Sequence, residues 1–325
     1  MFDIAAAQMS PPVRPRRTDT VRPLQQSSEF AGALRYLGRT PLILPQLDRI
    51  LVLRRRFWPG IDVAMLPRVQ LRKPQRLLEI LQEEGLTRTP ILLSPDHPEP
   101  NLGPLGAVPL VGPARAAILK LDRDLTQLRA QLHQKWRNRL VHSESQALRV
   151  TQQNLAQDPT HWVLTSDQIQ QRQRRYQNWP IALTLAYARE NPGQAKLFTA
   201  YDGNDPVAAI LVLRHGGGAT YHIAVSSPRG RQTSAHNLLI WNAIEWLHEQ
   251  GCVQLDLGLV NTEDAPGLAR FKLGTGADLQ TLGGTWIWWP PLGRTLGPLA
   301  ALDRRLMTFR HSPRKTGQQG HPQVI

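Results

Sequence analysis

The residue of this sequence best placed to do chemistry is a lysine beside a glycine-rich backbone. Lys272 belongs to a short predicted helix that ends at Gly274, and an apolar stretch at 252–257, predicted to be a buried strand, precedes it. A cation beyond the end of a core strand suits a phosphate or a developing negative charge. Only six of the 39 Lys and Arg residues are lysines, and an ammonium is not equivalent to a guanidinium fork. We expect Lys272 to matter for function and little for folding, the alternative being a surface lysine on an amphipathic helix.

Carboxylates close to Lys272 in the sequence could move a proton during a reaction. Asp256 lies at the end of the predicted strand, and Glu263 and Asp264 follow in a turn. General acid–base catalysis needs such a group within hydrogen-bond reach of the proton. The candidate catalytic residues are therefore Lys272 and Asp256, and the sequence does not single out a general base.

A second candidate site lies where a predicted strand, 219–225, meets a long predicted helix, 234–250. The N–H groups and the dipole at a helix start point at an anion. Arg229, Ser234 and Asn237 are therefore candidate substrate-binding residues. The alternative is an ordinary capped helix start without a ligand.

A third candidate site is the basic half of a long predicted helix that carries apolar residues every three or four positions between 125 and 140. Trp136 continues the apolar stripe, so Lys135 and Arg139 can project towards solvent on either side of it. We predict that they line a groove for an anionic acceptor, the alternative being a solvated basic face. Phe271, beside Lys272, completes the candidate substrate-binding residues.

Composition excludes several classes of protein. The net charge of +14, half of it in residues 1–22 and 294–325, is compatible with RNA, a diphosphate or an acidic membrane face. No apolar run reaches the roughly 18 residues of a membrane span. The first residues lack the pattern of a signal peptide, so we expect a cytoplasmic protein. A single cysteine, Cys252, excludes disulfides within the chain and cysteine-based zinc sites, and no metal site is predicted.

A histidine and three glycines at 215–218 match the oxyanion-hole string of lipases and esterases. That chemistry also needs a Gly-x-Ser-x-Gly nucleophile elbow, which this sequence lacks. The string therefore predicts a glycine turn between two strands.

The predicted helices and strands alternate along the chain, which indicates the α/β or α+β class. Two similar subdomains, each a mixed sheet flanked by helices, are expected to pack side by side. We predict a disordered basic tail over 1–22 and an N-terminal subdomain over 23–140. A C-terminal subdomain over 141–290 and an amphipathic helix with a basic tail over 291–325 follow.

Five segments, in their order along the chain, resemble the Fem family of peptidoglycan aminoacyl-transferases and their GNAT-like relatives among bacterial acyltransferases. They are residues 24–27, 135–139, 238–244, 256–258 and 267–276. The resemblance implies two GNAT-like subdomains with an active-site groove between them, and transfer of an acyl or aminoacyl group to an amine. In the family the donor is aminoacyl-tRNA and the acceptor is a peptidoglycan precursor that carries a diphosphate.

The resemblance leaves the donor and the acceptor open. Residues 225–235 are similar to the pyrophosphate-binding turn of GNAT acetyltransferases, but Gln232 and Ser234 stand where that turn has glycines. Acyl-CoA and aminoacyl-tRNA are thus alternative donors, either one a co-substrate and not a bound cofactor. The acceptor amine would belong to a lipid-linked or nucleotide-linked peptidoglycan precursor, with tRNA as a candidate partner. A non-catalytic protein that binds RNA or an anionic lipid is the remaining alternative.

The C-terminal segment predicts a peripheral membrane contact. Trp286, Trp288 and Trp289 precede residues 291–325, where leucines recur at helical spacing among arginines. This combination suits the surface of an anionic bilayer, here the inner face of the membrane. The alternative is a helix that folds back onto the N-terminal subdomain, with the tryptophans in the core.

Overall fold

A computed structural model describes residues 21–58, 60–174 and 176–290. The strands in this part of the chain are β1 Leu42–Leu44, β2 Ile50–Trp58, β3 Ile61–Val69, β4 Ile91–Pro95, β5 Val108–Val111, β6 Arg115–Lys120, β7 Leu148–Asn154, β8 Ala195–Asp202, β9 Asp205–His215, β10 Gly218–Ser226, β11 Gln254–Val260, β12 Asp278–Thr281 and β13 Thr285–Trp288. The α-helices are α1 Ser28–Tyr36, α2 Pro74–Glu83, α3 Leu125–Gln131, α4 Gln134–Glu144, α5 Trp162–Arg174, α6 Ile181–Glu190, α7 Pro228–Gln232, α8 Ala235–Glu249 and α9 Pro266–Leu273.

The strands form two mixed sheets, which confirms the predicted class. The first sheet has the order β1-β2-β3-β4-β13-β5, and the second has the order β12-β6-β11-β10-β9-β8-β7. In the first sheet only β3 and β4 run parallel, and in the second only β10 and β11 do. Each sheet is flanked by helices, as expected.

Helices cover the second sheet on both faces. Apolar residues of α3, α4 and α8 pack on one face, and those of α5 and α6 pack on the other. The first sheet has its own core with α2, which includes Trp288. The early helix α1 packs against α6 of the second subdomain, although the sequence assigned it to the first.

The boundary between the sheets differs from the expected one at residue 140. β5 is the last strand of the first sheet before the chain enters the second with β6, so the change occurs at 112–114. The helices that follow pack on the second sheet because Leu128, Trp136 and Leu140 fill its apolar face. Near the end of the described residues, β13 returns to the first sheet between β4 and β5.

The tryptophans before residue 290 have structural partners. Trp286 and Trp288 lie in β13, and the ring nitrogen of Trp288 donates to the carbonyl of Leu105 at 3.2 Å. Their packing in the first core supports the alternative in which these rings are structural. The tail at 1–20 and the helix expected at 291–325 lie outside the described residues. Among the described helices, none is long and apolar enough to cross a membrane.

Candidate functional site

Two parallel strands of the second sheet separate at Asp256. β10 and β11 pair only over three residues each, ending at Thr220 and Asp256. Beyond that point β10 stays with β9, and β11 stays with β6 through an irregularity between Asp256 and Leu259. Gly258 has φ +81°, a conformation that glycine adopts without strain. The result is a bulge beside an opening between two core strands.

Lys272 reaches this bulge from α9. Its ammonium donates to the carbonyl of Leu259 at 2.8 Å, and the residue is only 7% exposed. Burial lowers the pKa of Lys272 to about 8, and the nearby Asp256 carboxylate opposes that shift. The alternative of a surface lysine is therefore wrong. Because Lys272 is buried, its substitution should change the stability of the protein, contrary to the expectation from the sequence.

Both carboxylate oxygens of Asp256 are engaged. One accepts the N–H of Gly258 at 2.7 Å, which closes the bulge, and the other lies 3.2 Å from a guanidinium nitrogen of Arg68. With the residue 8% exposed, the carboxylate is an anchor for the backbone around Lys272. Each oxygen of Asp256 thus already has a partner, and neither is left over to take a proton from a substrate.

Arg68 links the two sheets, and reasoning from the sequence missed it. It comes from β3 of the first sheet and also donates to Asp96, which follows β4. Burial lowers the pKa of Arg68, but Asp256 and Asp96 raise it more, so the guanidinium stays charged. Because β3 and β4 are parallel, their carboxyl ends lie at one edge, which could have suggested the contact between Arg68 and Asp96.

The turn after β10 is a closed, capped helix start. Ser227 caps α7 by accepting the N–H of Gly230 at 3.1 Å, and the N–H groups of Arg231 and Thr233 bond to carbonyls within the same turn. A Cβ on Gly230 would lie 2.2 Å from the carbonyl oxygen of Val207. Gly230 therefore serves close packing of α7 on β9. The start of α7 is therefore closed by its own hydrogen bonds, whereas the start of the long helix α8 has no side-chain cap.

The three residues predicted around this turn differ in their surroundings. Arg229 pairs with Asp202 at 2.6 Å on the protein surface. Ser234 precedes α8 with φ +54° and caps no N–H with its side chain. Asn237 is 4% exposed, and its side-chain nitrogen has no hydrogen-bond partner among the described residues. Only Asn237 offers an unused buried donor.

The remaining predicted residues are Phe271, which packs among aromatic rings, and two exposed cations of α4. The ring of Phe271 lies 6.1 Å from Trp136 on α4 and 6.2 Å from His236 on α8. Lys135 and Arg139 are exposed on α4, and neither forms an ion pair with a described residue. The structure thus brings Lys272, Asp256 and Phe271 together, with the basic face of α4 nearby. The turn around Arg229 lies at the far end of β10, roughly 20 Å along the strand from the level of Asp256.

A cavity of about 440 Å³ lies at the junction of the two subdomains. Gln26 and Gln70 line it from the first subdomain, and the turn at His215 and Gly216 lines it from the second. This turn is the glycine connection expected between two strands. The ring of His215 contacts the hydroxyl of Thr220 at 3.0 Å, and burial lowers its pKa to about 4, so it is neutral. Thr220 is in turn in register with Asp256 on the neighbouring strand.

Comparisons with known proteins agree with this geometry. Residues 120–276 match the model of a GNAT-type acetyltransferase domain. The structure of FemX has a TM-score of 0.67 and 13% identity, with 85% of this chain and 94% of that chain covered. The C-terminal domain of a protein described as a lysylphosphatidylglycerol synthetase, from Agrobacterium fabrum, has a TM-score of 0.52 and 11% identity, over 87% and 93% of the chains. L-PGS from Bacillus licheniformis gives 0.50 and 11%, over 90% and 99%. No curated protein sequence matches this chain.

Proposed function

We propose that this chain is a Fem-like acyltransferase of the GNAT class, which transfers an aminoacyl group to the amine of an acceptor held between its two subdomains. The observation that carries the proposal is the Lys272 ammonium, buried at the bulge where β10 and β11 part. A buried cation beside an opening in the sheet can stabilise charge that appears only during a reaction.

The chemistry would be aminolysis of an activated carbonyl. The lone pair of the acceptor nitrogen attacks the carbonyl carbon, a C–N bond forms, and the carbonyl π electrons move to oxygen. The oxyanion then re-forms the carbonyl as the bond to the donor oxygen or sulfur breaks. The leaving group takes that electron pair and the proton released by the nitrogen.

Lys272 is suited to the oxyanion step. Among the described residues its ammonium has one acceptor, the carbonyl of Leu259, so two N–H bonds remain for a substrate. With a pKa of about 8 it is mostly protonated at neutral pH. Donors that are aligned before the reaction stabilise an oxyanion more effectively in a water-poor site than in water. Asp256 would hold this donor in place through the backbone.

Two observations favour an aminoacyl ester, carried by tRNA, as the donor. The N–H groups at the start of α7 are bonded within the turn, and Gln232 and Ser234 stand where an acyl-CoA turn has glycines. The fold likeness includes a protein described as a lysylphosphatidylglycerol synthetase. The match of residues 120–276 to a GNAT acetyltransferase domain keeps acyl-CoA as the second candidate, because such domains use it as their co-substrate.

For the acceptor we propose an amine on a peptidoglycan precursor that is linked to a lipid or a nucleotide by a diphosphate. The fold likeness to FemX motivates this choice. Lys135 and Arg139 supply two exposed cations without ion-pair partners among the described residues, and cations of this kind bind phosphate oxygens. Both lie on α4, the helix whose Trp136 contacts Phe271 next to Lys272.

The test is a transfer assay with the full-length chain. Charged tRNA and acyl-CoA are each offered with lipid-linked and nucleotide-linked precursors, and the product is detected by mass spectrometry. Lys272→Ala is expected to lose about 10²-fold in kcat, and Lys272→Arg is also expected to be impaired. Arg270→Ala, an exposed neighbour on α9, is the control and should retain activity. Absence of transfer with every pair, or full activity of Lys272→Ala, would refute the proposal.

A further inference from the structure

Arg68 bridges carboxylates of the two sheets. Its guanidinium contacts Asp96 of the first sheet and Asp256 of the second, and all three side chains are largely buried. Buried charges cost free energy unless they are paired and hydrogen-bonded. The contact is therefore specific, and water and salt screen it little.

The backbone of Arg68 is strained, and its neighbours hold it in place. Its φ of +49° is uncommon for a residue with a side chain, and it coincides with an irregularity in the pairing of β3 with β4. Gln26 donates to the carbonyl of Pro67 at 2.9 Å, and the N–H of Asp96 donates to the carbonyl of Val69 at 2.9 Å. Strain that is fixed from both sides is typical of residues that act at functional sites.

A continuous set of contacts runs from Arg68 to the amine of Lys272. Arg68 holds one oxygen of Asp256, and the other oxygen holds the N–H of Gly258. Gly258 precedes Leu259, whose carbonyl accepts the Lys272 ammonium at 2.8 Å. Among the described residues, Asp256 is the charged side chain that acts on Lys272, and Arg68 in turn pairs with both Asp256 and Asp96.

We propose that Arg68 is a positioning residue for acyl transfer, which acts through Asp256 to fix the bulge at 257–259 and so places the amine of Lys272. This inference rests on the proposed function. It assigns part of the active site of the second subdomain to the first subdomain. The fold would thereby couple the packing of the two sheets to the geometry of the reacting amine.

Kinetics distinguish positioning from a structural role. Arg68→Gln is expected to lower kcat about tenfold or more while the KM values for donor and acceptor stay within about twofold. The double variant Arg68→Gln/Asp256→Asn should be no slower than Asp256→Asn alone, because both changes remove the same link. Arg56→Gln, which removes an exposed ion pair with Asp62 on the same hairpin, is the matched control. Additive losses in the double variant, or a loss confined to KM, would overturn the inference.

A chemical measurement tests the same link without turnover. The full-length chain is labelled with acetic anhydride across a pH series, and mass spectrometry follows the peptide that contains Lys272. Without Arg68 the Asp256 carboxylate can turn to the ammonium, so the midpoint of labelling should rise by about one pH unit. An unchanged midpoint in Arg68→Gln would refute the coupling. This result does not depend on the transfer assay, so it distinguishes failure of the coupling from failure of the proposed function. If Arg68→Gln does not fold, Asp256→Asn replaces it as the test variant, because the asparagine oxygen can still accept the N–H of Gly258. Loss of the carboxylate should then lower the midpoint of Lys272 labelling. An unchanged midpoint in this variant would refute the coupling.

Discussion

Replacing Lys272 by methionine should make the protein more stable while removing its activity. Burial lowers the pKa of Lys272 from 10.5 to about 8, and each pKa unit corresponds to about 1.4 kcal/mol. The buried ammonium therefore costs about 3 kcal/mol at neutral pH. Loss of the hydrogen bond to Leu259 offsets about 1 kcal/mol of the gain. Methionine fills a similar volume, and Asp256 keeps its contact with Arg68, so the expected net stabilisation is about 2 kcal/mol.

The dependence of this difference on pH follows from the direction of the pKa shift. Below about pH 8 the lysine is charged in both the folded and the unfolded chain, and the full cost applies. Between pH 8 and 10.5 the unfolded chain binds the proton that the folded protein has released, so the wild type gains stability as pH rises. The advantage of Lys272→Met should therefore be largest at pH 7 and shrink at pH 9.5.

Urea unfolding of both proteins at pH 7 and pH 9.5 measures this difference directly. Lys120→Met is the control, because Lys120 is exposed and pairs with an exposed Asp278 at 3.2 Å. Its effect should stay within about 0.5 kcal/mol at both pH values. A destabilised Lys272→Met at pH 7, or a difference that does not vary with pH, would show that the ammonium is not held in an unfavourable site.

Three further changes have defined outcomes. Gly274→Ala places a Cβ 2.6 Å from a buried indole carbon and should destabilise by about 1–3 kcal/mol in urea unfolding, whereas Gly267→Ala, with open space around its Cβ, should not. Lys135→Ala and Arg139→Ala should raise the KM for the acceptor and weaken its salt dependence, and unchanged acceptor kinetics in both would indicate a solvated face. Deletion of residues 292–325, which lie outside the described part, should abolish flotation with anionic vesicles without loss of folding; an intact chain that does not float at low salt contradicts the membrane contact.

Local signals in the sequence located most of the core elements. The residues Asp202-Gly203-Asn204-Asp205 at the junction of β8 and β9 are a strong hairpin signal, and the helix at Lys272 is predicted from its glycine stop. The sequence favours a first helix capped by Ser28 and ending near Gly38, whereas in the structure Ser27 caps α1, since its hydroxyl accepts the N–H of Phe30. These features depend on a few neighbouring residues, which is why pattern and turn chemistry suffice for them.

Other elements depend on contacts that are distant in the sequence. The helix predicted across 125–140 is broken between α3 and α4, where the N–H of His133 bonds to the carbonyl of Gly274. The short strands β5, β7 and β12 were missed because their sequences are polar or rich in proline and they lie at the edges of the sheets. The role of Arg68 was also missed, because its partners Asp96 and Asp256 are brought to it only by packing of the two sheets.

The return of β13 to the first sheet affects how the chain can fold during synthesis. A ribosome releases the N-terminal residues first, and most domains fold as they emerge. Here the strand that lies between β4 and β5 is at 285–288, so the first sheet is interrupted between these two strands until the second sheet has been made. We therefore expect residues 21–112 expressed alone to expose two unpaired strand edges and to aggregate. In nascent chains, protease resistance should arise in the second sheet before it arises in the first.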